Sequence, residues 1–437
     1  MSSTDKERFS FMALKMLKRA GQLVLIPAAC CLLVLILMAL AYLLPTGGMK
    51  EHVRNTLGNF EKEGTYFYSL TGETGADHEN FVDALYLDQA IVGTEDMDLL
   101  NCVLRGPDYV YRDLADPIGN LTAAVTDPES VTVTDTELRF FNGHLAFLKP
   151  LLMVMGYTGS RTFCFYFCLA ATALLGFLMY RRGLGKYILP LMISILFLRP
   201  VTVWTNMSFT GIYACMAIPC ILMLLVRKET LKGKAWLVFG ITGSATFCFN
   251  MNYFQLVCFG VPMLMYLLIE GLPEKPLELL KTGADLFIAW MIGYAGVMVC
   301  KWAVYAICLD GSIFSEMFEH VLWRSGVDEG SRAETILYNA RIAFGSLWWD
   351  LAELGFAGWS LARWIRGRKK DGKAGRKQVF LSGTELLLLL AAVLFPLGRL
   401  AILANHSMHH AGFVYRVFMI PVLAVNLLIA RKCNESR

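Results

Sequence analysis

Residues 23–44 read LVLIPAACCLLVLILMALAYLL, an apolar run without one charged side chain. Its length decides the fold class. At about 1.5 Å of rise per residue the run crosses the roughly 30 Å hydrocarbon core of a bilayer as a single helix. Lys6, Arg8, Lys15, Lys18 and Arg19 precede it. The run is longer than the apolar part of a cleavable secretory signal, so it predicts a retained anchor with its basic leader on the cytoplasmic side.

The rest of the 437-residue chain continues the pattern. Hydrophobic residues make up 56% and charged residues 17%, a balance that leaves too little polar surface to cover a soluble globule of this size. Further apolar segments fall at 163–180, 187–204, 209–226, 235–249, 254–269, 286–309, 344–362, 386–403 and 414–430. With the first, they predict an all-α polytopic membrane protein of about ten transmembrane helices. Cys30, Cys31, Cys164, Cys168, Cys215 and Cys258 lie within apolar runs and Cys102 alone in a long polar loop, which reads as packing rather than redox chemistry.

Basic residues set the orientation. Arg181, Arg182 and Lys186, then Arg227, Lys228, Lys232 and Lys234, then Lys275 and Lys281, the RWIRGRKKDGKAGRK run around Arg366, and Arg431 with Lys432 occupy alternate gaps. By the positive-inside rule both termini are cytoplasmic. The division that follows is a cytoplasmic N-terminus 1–22, a first span 23–44, an extracytoplasmic loop 45–149, spans within 150–309, a second extracytoplasmic loop 310–343, C-terminal spans within 344–430 and a tail 431–437. On this topology His52, His78, His144, His320, His406, His409 and His410 all face outward.

The first loop is rich in acids, Asp77, Glu79, Asp83, Asp88, Asp96 and Asp98 among them, yet it carries recurrent apolar residues. NFVDALYLDQAIV at 80–92 places Phe81, Leu85 and Leu87 near one side of a helix and Asp83 on another. RFFNGHLAFLKPLLMVM at 139–155 predicts an amphipathic helix lying on the membrane before the second span.

Four cations lie inside the apolar segments, Arg199, Lys301, Arg399 and Arg416, all in the outward half of their spans. The acids within spans, Asp285, Asp350, Glu353 and Glu385, sit mostly toward the inner half. Intramembrane charge costs a few kcal/mol and is normally paired or functional, so outward cations without neighbouring acids point to an anionic ligand, such as a lipid phosphate held by Arg forks and a Lys point charge. The alternative is snorkelling to headgroups. Asn250, Asn252 and Gln255 add neutral donors and acceptors suited to sugar hydroxyls, or simply to a polar turn. ANHSMHHAGFVYR at 404–416 sets His406 and His409 three residues apart beside Arg416. They read as a wall facing phosphate or acceptor, with an interfacial turn and a divalent-metal site as the competing readings; a metal needs a further ligand that the segment does not supply.

The architecture resembles the GT-C superfamily of membrane glycosyltransferases: a cytoplasmic N-terminus, one span, a large acid-bearing first outer loop, an amphipathic lead into the second span and many further spans. HENFVDALYLDQA, RFFNGHLAFLKPLL and NHSMHHAGFVYR are similar to segments of an uncharacterised group of Gram-positive bacterial membrane proteins associated with surface polysaccharides. The resemblance implies transfer of a sugar from a polyprenyl-phosphate or polyprenyl-diphosphate carrier to a cell-envelope glycan or lipid acceptor at the outer face of the cell membrane. It implies Asp83 as general base; superfamily members often carry their acid a few residues after the first span, where the nearest here is Glu51, and with that departure Asp88 stands as the second candidate. It also implies a phosphate site at Arg416 and Arg399, with Lys301, Arg199, His406, His409, His144 and Asn252 toward the substrates, general-base and electrostatic effects sharing the work. Neither nucleic-acid binding nor an obligate metal is implied, although a divalent ion fits the reaction class. A transporter or flippase of a lipid-linked sugar and an envelope acyltransferase are the competing readings; the missing internal repeat and the outward bias of the loops weigh against transport.

Overall fold

The computed structural model describes residues 3–65, 68–69, 72, 75–113, 115–134, 138–251, 253–309, 313–328, 330–370 and 381–435. Among them six helices are long and apolar enough to cross a membrane: Gly21–Tyr42, Tyr157–Arg181, Met207–Leu225, Pro276–Cys308, Gly383–Ile402 and Ala411–Cys433. Gly185–Leu196 and Val257–Glu270 are shorter apolar helices. The chain is thus a helical membrane-embedded protein. Met207–Leu225 and Ala411–Cys433 are mostly enclosed by protein, whereas Gly21–Tyr42, Pro276–Cys308 and Gly383–Ile402 turn most of their apolar surface outward, as lipid-facing helices do.

Small residues set the tightest helix crossing. Helix Lys228–Cys248 lies along Pro276–Cys308, with Gly243 against the Trp290 carbonyl and Gly293 against the Gly240 carbonyl. A Cβ at either glycine has no room. Ser244 Oγ adds a 3.2 Å hydrogen bond to the Gly293 carbonyl across the same seam. Where lipid removes the hydrophobic drive between helices, such close backbone approach is what holds them.

Between the first two spans the chain builds a separate helical layer. Asn80–Ile91 packs between Pro117–Thr126 and Leu145–Leu152. The layer is docked on the first helix, Ser3–Tyr42, through Leu99–Arg105 and Leu145–Leu152. Two short antiparallel ladders, Tyr68–Ser69 with Asp77–His78 and Asp108–Val110 with Thr132–Thr134, close its edges.

The structure revises several sequence expectations. The segment 187–204 is not one helix: it breaks at Arg199, whose φ of 55° and ψ of 70° separate Ile188–Leu196 from Pro200–Thr205. The cause is Pro200, which disfavours helical geometry in the residue before it. The helix expected over 139–155 reduces to Leu145–Leu152; Asn142 turns the chain ahead of it with φ 60°, and Leu145, Leu148, Lys149 and Leu152 pack into protein while Phe147 stays exposed on the other side. Asn80–Ile91 is enclosed on both faces, Asp83 and Asp88 included. All twelve cysteines are free, and nine are buried.

Three of the span acids find side-chain partners. Asp285 pairs with Arg19 at 2.8 Å, Glu385 with Lys432 at 2.8 Å, and Glu353 accepts from Asn426 at 3.0 Å.

Candidate functional site

Among the described residues, five buried cations of the bundle and loop layer donate to backbone carbonyls. Arg416 donates from Nε to Leu198 (3.0 Å), from Nη1 to Gly412 (3.1 Å) and from Nη2 to Gly75 (3.0 Å). Arg199 reaches Phe197 at 2.7 Å and the carbonyls of Ile342 and Ala343 at 3.1 Å each, capping the C-terminal end of Arg332–Ala343. Arg399 holds Tyr253 at 2.8 Å and Ser407 Oγ at 3.3 Å. Lys301 Nζ binds Leu138 at 2.9 Å and also Phe140. Lys149 Nζ binds Ala90 at 2.8 Å and Val92 at 2.7 Å, the end of Asn80–Ile91. Chain breaks leave carbonyls without intrahelical partners. In an apolar interior an unpaired one costs several kcal/mol, and cations near helix C-termini satisfy it. Arg199, Lys301, Arg399 and Arg416, expected to meet an anion, are thus bonded to carbonyls at turns of the fold.

Asp83 serves a similar end. Its Oδ1 accepts from Ser208 N at 3.0 Å, and Oδ2 from Met207 N at 3.2 Å and Tyr157 Oη at 3.1 Å. With the Asn206 amide turned so that its nitrogen faces Asp83, it adds a 3.1 Å contact and its oxygen accepts from Glu79 N at 2.9 Å. Burial pushes Asp83 up to about 6 despite these bonds and Arg161; Glu79 is pushed up to about 8, first by burial and then by the charge of Asp83. Arg161 binds Glu63 at 2.8 Å and His78 Nδ1 at 2.9 Å. Asp88 accepts from Tyr109 N at 2.8 Å, and its carboxyl is held well above the usual range by burial and by Asp108. His144 stacks on Tyr86 with ring centres 3.5 Å apart. Asn252 lies outside the described residues.

A cleft lies elsewhere. A volume of about 460 Å³ is lined by Arg139, Glu319, His320, Trp323, Arg324, His406 and His410. Three pieces of chain meet there: the turn at 138–140, the helix Phe314–Ser325 and the short helix Ala404–His409. Arg139 and Arg324 both lie over the Phe140 ring, at 5.0 and 5.6 Å. Arg139 Nη1 is 3.5 Å from His320 Nε2. The His406 and His410 rings are 4.7 Å apart, and His410 stacks on Phe413 at 5.1 Å. Burial, then Arg324, His409, Arg399 and Arg139, holds His410 down to about 4. The cleft thus concentrates guanidinium charge around imidazoles, with Glu319 as the acid on its wall.

Two of these cations hold segments that carry the cleft walls. Lys301 fixes the turn that carries Arg139, and Arg399 fixes the helix that carries His406 through Ser407. Asn405 docks that helix on Phe314–Ser325 by bonds to Trp323 O and from its own N to Gly326 O, each 3.1 Å. Of the expected site residues the cleft takes in His406; His409 stacks on Trp323 at 5.7 Å behind it. The sequence does not pick out Arg139, Glu319, Trp323 or Arg324, and it places His320 and His410 only among the outward-facing histidines. The signal for them was present in FSEMFEHVLWRS, 314–325, where Glu319, His320, Trp323 and Arg324 share a helical face. Among the described residues no group of three or more His, Cys, Asp or Glu has metal-holding geometry.

Compared with known proteins, the chain matches no family model, no curated protein and no solved structure.

Proposed function

We propose that the protein transfers a sugar from a polyprenyl-phosphate or polyprenyl-diphosphate carrier to a cell-envelope glycan or lipid acceptor, with the carrier phosphate in the Arg139–Arg324 cleft. The observation that carries this reading is the pair of guanidiniums converging over Phe140 beside three histidines and a tryptophan. Arg offers planar donor pairs to phosphate oxygens, and Trp323 offers an apolar face to a sugar ring. In the reaction the acceptor oxygen forms a bond to the anomeric carbon while the bond from that carbon to the phosphate oxygen breaks. The phosphate leaves with the electron pair and is stabilised by Arg139 and Arg324; the acceptor proton passes to a carboxylate. Glu319 is the carboxylate on the cleft wall. Asp83 and Asp88 are enclosed and bonded to backbone N–H groups, which favours structural roles for them.

The topology that goes with this reading has ten membrane segments. Lys228–Cys248 and Leu347–Lys370 join the six long and two short apolar helices. Both termini lie in the cytoplasm and the cleft opens on the outer face of the cell membrane, as the basic gaps require. The test is incubation of the purified protein in lipid nanodiscs with a panel of polyprenyl-linked sugars, following release of the carrier phosphate. Turnover that survives Arg324→Ala and Arg139→Ala unchanged removes the assignment; absence of turnover with every carrier, in protein shown to be folded, removes the function.

A further inference from the structure

The helix Phe314–Ser325 has two unlike faces. Phe314, Phe318, Val321 and Leu322 are exposed by 50%, 64%, 55% and 54%. Their spacing of i, i+4, i+7 and i+8 places them on one stripe. Glu319, His320, Trp323 and Arg324 lie on the other side and line the cleft. Ile313 and Met317 are buried and tie the helix to Trp302 and Tyr305 of Pro276–Cys308. The helix is therefore fixed at the end of a lipid-facing span, with four large apolar side chains turned away from protein. A water-exposed stripe of this kind is unfavourable, because large apolar side chains gain free energy on leaving water. A polar side opposite an apolar stripe on a short helix is the pattern of helices that lie in the plane of a membrane interface, apolar face about 5–10 Å into the headgroup and acyl boundary.

We propose that Phe314–Ser325 lies in the lipid interface, its Phe314, Phe318, Val321 and Leu322 stripe in the leaflet, and that the cleft on its other face receives the phosphate of a membrane lipid laterally. The occupant of the stripe is the bilayer itself. The chain carries six helices suited to a bilayer, and the helix continues by a short connection from one of them. Arg139 and Arg324, next to the stripe, give the charge complement to a lipid phosphate. A lipid tail can remain in the leaflet while its phosphate turns around the helix into the cleft, with no need to leave the membrane. The placement of the helix stands on its exposed stripe; the lipid phosphate in the cleft rests on the reading of function given above.

The experiment uses the full chain in phosphatidylcholine liposomes containing a few per cent polyprenyl phosphate. With p-benzoylphenylalanine in place of Phe318, illumination is expected to yield phosphatidylcholine adducts detectable by mass. In place of Glu316, on the opposite side of the helix, it is expected to yield few or none. In place of Trp323 it is expected to yield polyprenyl phosphate adducts, reduced about tenfold by Phe318→Glu and by Arg324→Ala. Folded protein without lipid adducts at position 318 overturns the placement of the helix. Lipid adducts at 318 with no polyprenyl phosphate adduct at 323 overturn lateral delivery while leaving the placement intact. Both readouts are independent of sugar transfer, so a protein that captures polyprenyl phosphate in this way and turns over no sugar would count against the proposed reaction alone.

Discussion

Asp83 of the loop layer accepts the backbone N–H of Ser208 at 3.0 Å, which places a carboxylate on the first turn of the spanning helix Met207–Leu225. The first N–H groups of a helix have no partner within it, and its dipole favours negative charge there. One side chain thereby fastens the layer between the first two spans to the centre of the bundle.

That fastening predicts a pH dependence. Enclosure raises the Asp83 carboxyl to about 6 from an ordinary 3.8, and Glu79 to about 8 from 4.5. Between the unfolded and folded values the folded chain holds more protons than the unfolded chain, so stability falls as pH rises through about 4 to 8. Asp83→Asn loses a charged acceptor and starts less stable, but it removes one of the two carboxyls and the charge that raises the other. Its thermal midpoint should fall less steeply from pH 5 to pH 8 than that of the wild type. Parallel curves in a thermal scan at fixed detergent would show that Asp83 is not the titrating group.

Arg416 and Arg324 should separate structure from binding. Arg416→Lys keeps the charge but cannot serve the Leu198, Gly412 and Gly75 carbonyls together; with buried acceptors left unpaired, the loss is roughly 2–4 kcal/mol of stability. Arg324→Ala should leave the thermal midpoint within a few degrees and weaken polyprenyl phosphate binding about 10- to 100-fold, the worth of a charge-assisted hydrogen bond. Microscale binding and melting curves on both variants check this; a stable Arg416→Lys protein with weakened binding would return Arg416 to the ligand.

Lys149→Met tests the carbonyl braces outside the bundle. Its ammonium is fully buried between Ala90 and Val92, and burial lowers it to about 8. Methionine fills the space and leaves two carbonyls without donors, a cost of about 2–4 kcal/mol. Faster proteolysis within residues 80–110, read by mass spectrometry, is the expected outcome. Unchanged cleavage would mean that water replaces the ammonium.

Gly243→Ala and Gly293→Ala should each push apart Lys228–Cys248 and Pro276–Cys308, because the added carbon meets backbone rather than a movable side chain. A loss of roughly 1–3 kcal/mol or failure to accumulate in the membrane is expected, whereas Gly233→Ala, with open space around it, should be neutral. Equal behaviour of the three variants in a melting series would refute the close crossing.

The helical membrane class was legible in residues 23–44 and in the apolar segments that follow, because crossing a bilayer demands a long uncharged run and that demand is local in sequence. Pro200 likewise contained the break at Arg199, a restriction acting between neighbours. The site was not legible in the same way. The cost of intramembrane charge made Arg199, Lys301, Arg399 and Arg416 conspicuous, but a carbonyl partner carries no residue type and leaves no mark in the sequence. Only the tertiary structure brings Leu198 and Gly75 to Arg416, or Leu138 to Lys301. Conversely, Arg139, Arg324 and His410 are ordinary as single letters; they become a cleft because Lys301, Arg399 and Asn405 draw three distant turns together. Local physics set the spans, while which charges face a ligand and which hold the backbone depended on contacts between segments far apart in the chain.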